Sequence, residues 1–160
     1  MAFISKFGPG ADLSTVPSFP RQVASGTTSS IPVGAPVLKN GQYVTLVTNG
    51  TPVIGTDILA GTAVSNSTET ASAAGSVSVA SPLPDALVYF NAKNPSLIAT
   101  QSQYNALVGS YVLFDVTAGV ITVDTTATGS THGLEIVDSD VSVNPGKVLV
   151  RYRLSGTELN

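Results

Sequence analysis

The stretch Ala35-Pro-Val-Leu-Lys-Asn-Gly-Gln-Tyr-Val-Thr-Leu-Val-Thr-Asn-Gly-Thr-Pro-Val-Ile54 decides the fold class. Two Asn-Gly pairs, Asn40-Gly41 and Asn49-Gly50, divide it into three short apolar runs. Asn and Gly both tolerate the positive φ that a type I′ turn demands, which makes this pair the strongest short-range hairpin signal. The reading is a three-stranded meander over 35–39, 42–48 and 51–54.

Towards the C-terminus the same character continues. Further strands are expected at 61–65, 76–80, 87–90, 111–116, 120–124, 134–137 and 148–154, separated by turn residues at short intervals. The last is the clearest: Val148, Val150, Tyr152 and Leu154 alternate with Leu149, Arg151 and Arg153, placing an apolar face opposite two cations. Val is the commonest residue, 21 in all, and with 18 Thr it favours pleated, half-buried surfaces. One short helix is expected over 101–108. Thr100 is its cap, Gln103 completes a Thr-x-x-Gln capping box, and Gly109 stands where a C-terminal cap belongs. The small polar run from Ser65 to Gly75 reads as an exposed loop. Asn66-Ser67-Thr68 and Asn49-Gly50-Thr51 match the glycosylation pattern, but without an export signal in a Ser/Thr-rich chain they are set aside as chance matches.

Towards the N-terminus the pattern changes. Over 1–34, Gly8, Pro9, Gly10, Pro17, Pro20, Gly26, Pro32 and Gly34 oppose helices and sheet ladders, while Phe3, Ile4, Phe7, Leu13, Val16 and Phe19 are too apolar for a solvated tail. An extended arm follows, either strapped across its own core or docked on a neighbouring subunit. The expected fold is therefore mostly β: a single β-barrel or sandwich-like domain over 35–160, with an extended N-terminal arm over 1–34 and one or two short helices.

Composition narrows the function. Charged residues make up 11% of the 160, well below the usual quarter, and 19 Ser join the Thr in supplying polarity. Seven Lys plus Arg against ten Asp plus Glu give no basic footprint for nucleic acid. No apolar run reaches the length of a membrane span, and the start meets Pro9 before any signal core forms, so a chain made and kept in the cytoplasm is expected. Without cysteine there are no disulfides, thiolate metal sites or Cys nucleophiles.

No catalytic constellation is legible. His132 is the only histidine, and no Gly-x-Ser-x-Gly elbow accompanies it, so it reads as a loop residue bonded locally. Asp138-Ser-Asp140 with Glu135 offers carboxylates to a hard cation but lacks the remaining donors of a calcium loop, and reads as solvated turn residues. No phosphate-binding or dinucleotide motif occurs, so no cofactor is implied. Asp57, Glu69, Asp85, Asp115, Asp124 and Glu135 leave a convergent carboxylate pair open, yet the chain has no Trp to build a sugar platform.

Several segments resemble one family. Ile31-Pro-Val-Gly-Ala-Pro-Val, Gln42-Tyr-Val, and Val53-Ile-Gly through Gly61-Thr-Ala-Val are similar to the β-rich core of tailed-bacteriophage head decoration proteins, also called capsid cement proteins. So are Tyr104-Asn-Ala-Leu-Val-Gly-Ser-Tyr-Val-Leu-Phe-Asp-Val-Thr, Val120-Ile-Thr-Val-Asp, His132-Gly-Leu-Glu-Ile-Val and Lys147-Val-Leu-Val-Arg-Tyr-Arg. The likeness covers residues 31 to 154. It implies a non-enzymatic virion protein on the outer capsid surface, commonly a homotrimer, whose partner is the major capsid protein. On that reading Phe3, Phe7, Phe19 and Arg21 of the arm are the candidate capsid or subunit contacts. The alternative is a carbohydrate-binding or adhesive β domain of a phage fibre or cell surface.

Overall fold

The first Asn-Gly pair makes a hairpin, but not with the expected type I′ pair at its centre: Gly41 and Gln42 form the turn, and Asn40, without a positive φ, ends the strand. In the computed structural model, which describes residues 4–7, 17–26, 30–81 and 86–153 (backbone only for 4–7 and Ala86), β3 (Pro36–Asn40) and β4 (Tyr43–Leu46) form an antiparallel hairpin. Asn40 stands opposite Tyr43, and Gly41 takes φ +60° in the turn. Gly41 supplies the left-handed backbone that other residues adopt only with strain.

The second Asn-Gly pair turns the chain without zipping it back onto β4. Thr51 Oγ1 accepts the Thr48 N–H (3.1 Å) and donates to the Thr48 carbonyl (2.7 Å), closing the turn on itself. Pro52 then has no N–H to give. The expected strand over 51–54 instead meets distant chain: Thr51 bridges Phe114, and Val53 bridges His132. The third strand of the meander is β5 (Leu59–Ala63), which pairs with β3 rather than β4.

A closed barrel results, in the order β2-β4-β3-β5-β6, with β2 at Ser18–Val23 and β6 at Gly75–Ala80. Six residues of β2 pair antiparallel with β6, and one parallel pair, Gln22 opposite Tyr43, closes the ring. The barrel thus takes in a segment that the sequence reading placed in the arm. Proline density argued against a ladder there, but β2 is paired on its β4 side only at Gln22. Over Pro20 it behaves as an edge strand, where proline is tolerated.

The remaining strands build a curled sheet in the order β1-β7-β11-β10-β8-β9. These are β1 (Ile4–Phe7), β7 (Ala86–Asn91), β8 (Tyr111–Thr117), β9 (Val120–Asp124), β10 (Leu134–Ile136) and β11 (Lys147–Tyr152). All its pairs are antiparallel. The curl brings Ala92, just past β7, into a parallel bridge with Val123 of β9. The fold is mostly β, as the sequence predicts.

Between β7 and β8 lie a 3₁₀ turn, Pro95–Ile98, and helix α1 (Gln101–Asn105). The capping box is present, with Thr100 Oγ1 accepting from Gln103 N and the Gln103 side chain reaching back. The helix stops three residues short of the expected 108 because Leu107, Val108 and Ser110 bond at i−3, in tighter turns. Gly109 does take a positive φ, but its N–H goes to Ile136 rather than to the helix.

One apolar core runs through both units. Val37, Val44, Leu59, Val77 and Val79 line the barrel, while Phe90, Val112, Phe114, Leu134, Val148 and Val150 line the curled sheet. A buried hydrogen bond between Thr62 of β5 and Tyr152 of β11 (2.9 Å) joins them, beside the backbone bridges of Thr51 and Val53.

Candidate functional site

The four contact residues named from the sequence are not gathered into one site. Phe3 lies outside the described residues, and Phe7 is placed by its backbone in β1, opposite Ala86 of β7. Phe19 and Arg21 sit two residues apart on β2, opposite Val79 and Val77. Residues at that spacing share a face. Val77, Val79 and Val23 on this face are buried, yet Phe19 is 53% exposed and Arg21 half-buried. The face therefore passes from core at Val23 to surface at Phe19. Phe7 and Phe19 belong to different sheets.

His132 and Glu135, both singled out in the sequence, are engaged in the fold itself. His132 Nδ1 lies 3.3 Å from the Tyr111 carbonyl, placed to donate to it. Arg153 Nη1 donates to the Ser130 and His132 carbonyls (2.7 and 2.9 Å), and its guanidinium lies 3.8 Å from the Tyr111 ring centre. Glu135 accepts from Arg151 across the β10–β11 pair, at 3.2 Å from Nε and 2.8 Å from Nη2.

Asp138, Ser139 and Asp140 line a shallow depression of about 450 Å³ with Gln101. Asp140 accepts from the Ser142 hydroxyl and N–H (2.7 and 2.9 Å), which hold its carboxyl below the ordinary range. Gln101 donates to the Ser139 carbonyl and accepts from Val141 N. Among the described residues, no three His, Asp or Glu side chains are grouped to hold a metal ion.

One cluster was only half legible beforehand. Asp115 and Asp124 converge on Lys93, whose Nζ stands 2.8 and 2.9 Å from them. The β8–β9 hairpin puts Asp115 opposite Thr122 and Leu113 opposite Asp124, so the carboxylates are diagonal neighbours. That register follows from a two-residue turn at Ala118-Gly119. Lys93, arriving from just past β7, has no local signal.

Hydrogen bonds to Asp115 and Asp124 raise the Lys93 ammonium above its ordinary value. The hydrogen bond from Lys93, aided by Thr117, lowers Asp115. Burial alone would raise Asp124, but hydrogen bonds from Lys93 and Thr126 bring it to about 2. Both carboxylates are thus anions near neutrality, clasping an ammonium where β7, β8 and β9 meet.

Tyr104 plays a similar part between β11 and the residue that follows β10. Its hydroxyl donates to the Val137 carbonyl and accepts from Leu149 N, both at 2.9 Å, and burial pushes it up to about 12. Comparison with known proteins finds no matching family, curated protein or solved structure. Among the described residues no helix is long and apolar enough to cross a membrane.

Proposed function

We propose that this protein is a non-enzymatic structural protein of a bacteriophage virion, bound to the outside of the capsid, where it cements neighbouring major capsid subunits. The proposal includes self-association as a homotrimer. Its sequence basis is the resemblance of residues 31 to 154 to head decoration proteins.

The observation that carries it is how the charged side chains are used. Lys93, Asp115, Asp124, Glu135, Arg151 and Arg153 bond strands and loops of this chain to one another. The surface between them is rich in Ser and Thr, with apolar side chains such as Phe19 and Val143 (69%) exposed. Such a surface binds by shape and by burial of apolar area, at about 25 cal/mol per Å², and that suits a static clamp between subunits. Repetition over a shell multiplies modest contacts through avidity.

The test is particle stability. Particles lacking the protein are expected to release DNA at lower temperature than complete ones, and the purified protein added back should restore the difference. Failure to bind the particle, or binding with no change in release, would overturn the reading.

A further inference from the structure

The sequence holds two Asn-Gly pairs, Asn40-Gly41 and Asn49-Gly50, and the fold places them in opposite settings. In such a pair the glycine backbone nitrogen can attack the side-chain Cγ of the asparagine, because no side chain on the second residue screens the approach. The attack needs that nitrogen to give up its proton and swing towards Cγ. A native hydrogen bond from the same N–H opposes both.

Asn40 and Gly41 are exposed at the tip of the β3–β4 hairpin. Among the described residues, neither the Gly41 N–H nor the Asn40 carboxamide has a hydrogen-bond partner. A Cβ built on Gly41 would meet nothing within 4 Å, so the space around the turn is open. Asn49 is exposed as well, but the next residue is tied down. The Gly50 N–H donates to the Phe114 carbonyl at 2.9 Å, and the Phe114 N–H donates back to the Thr51 carbonyl at 2.8 Å. Phe114 is itself buried in the core, so this turn is pinned to the interior of the curled sheet.

We infer that Asn40 is a site of spontaneous modification, converting to isoaspartate through a cyclic imide with Gly41, and that the bond from Gly50 to Phe114 protects Asn49 from the same reaction. The inference does not depend on the proposed function. The Gly41 nitrogen passes its proton to solvent base and bonds to Asn40 Cγ. The bond from Cγ to the amide nitrogen breaks, and ammonia leaves. Water then opens the ring at either carbonyl, giving isoaspartate or aspartate, so the sum is amide plus water to acid plus ammonia. The product adds a carboxylate to a chain of formal net charge −3. In the isoaspartate it also adds a main-chain atom beside Tyr43, which pairs with both Asn40 and Gln22 where the barrel closes.

The two pairs serve as each other's control. The full chain is held folded in warm, mildly alkaline buffer, and a second sample is held in the same buffer with denaturing urea. Chymotryptic cleavage after Tyr43 and Leu46 separates the two sites for mass spectrometry, and enzymatic methylation of isoaspartyl groups counts that product. In the folded chain Asn40 is expected to convert about tenfold faster than Asn49, the factor that one hydrogen bond in the path introduces. In urea the two rates should converge. Asn40→Gln should abolish the acidic species that grows in on isoelectric focusing of the folded protein.

Equal rates in the folded chain, or faster conversion at Asn49, would overturn the inference. So would an inert Asn40 in a folded chain whose unfolded form reacts at both sites. Aspartate without isoaspartate at Asn40 would show direct hydrolysis of the side chain and remove the role given to the Gly41 nitrogen.

Discussion

The barrel and the curled sheet share one core but are held together by different means. In the barrel, close approach of backbone sets the limit: a Cβ on Gly61 of β5 would lie 1.9 Å from the carbonyl oxygen of Ala80 on the neighbouring β6, and one on Gly75 would lie 2.1 Å from Glu69 N in the loop that leads into β6. The curled sheet is joined by larger and more polar side chains. It holds the edge-on ring pair of Phe90 and Phe114 (4.9 Å between centres), the Tyr104 bridge, the Lys93 cluster and the Arg151–Glu135 pair. Disruption by added volume should therefore fall on the first, and disruption by lost polar groups or by pH on the second.

The largest effect is expected from Gly61→Ala. Its φ of +135° and the blocked Cβ position together should cost about 3 kcal/mol or more, read as a fall in denaturation midpoint. Gly41→Ala is the control: the turn is open, so only backbone strain of about 1 kcal/mol should remain. Equal effects from the two would break the picture of a barrel limited by close approach.

Next comes Tyr104→Phe in the curled sheet. It removes a hydroxyl that satisfies both Leu149 N–H and the Val137 carbonyl, and should cost about 1–3 kcal/mol without changing circular dichroism. A neutral result would mean that water replaces the hydroxyl.

The joint between the two regions is the third target. Thr62→Val and Tyr152→Phe should each cost about 1 kcal/mol, and the double variant little more than either, because both remove one buried bond. Strict additivity in a double-mutant cycle would show that the bond does not couple the units.

Acid should act on the curled sheet, and the effect is the smallest of the four. Asp124, at about 2, and Asp115 titrate lower when folded than when unfolded. Their stabilisation is therefore full above about pH 4 and is lost as pH falls towards about 2. Lys93 is raised, so its contribution is full below its ordinary value and lost only in strong base. Lys93→Met should lower Tm by a few degrees at neutral pH and flatten the decline in acid. Melting curves across that range for both proteins decide it.

What the sequence revealed divides along the same line of distance. The β3–β4 hairpin, the limits of β9 and the Thr100–Gln103 box depend on residues a few positions apart, and all three were legible. The fate of 51–54 was not, because its partners, Phe114 and His132, lie more than sixty residues away. Pro20 misled for a related reason: whether a proline breaks a ladder depends on which neighbour its strand lacks, and that is a property of the barrel. Asp115 and Asp124 were candidates for a carboxylate pair and do converge, but the ammonium between them comes from a third strand's end. Of the contact residues, Phe19 is at the surface, while nothing in the local pattern tells that its neighbour on the same face, Val23, is core.

The capsid role is the claim on which the rest of the functional account hangs, and electron microscopy of the parent particle with and without this protein tests it most directly. The account predicts added density on the outer surface of the head, in groups of three, bridging neighbouring capsid subunits and missing from particles that lack the protein. Identical heads in the two preparations, or density confined to a fibre or tail, would contradict it.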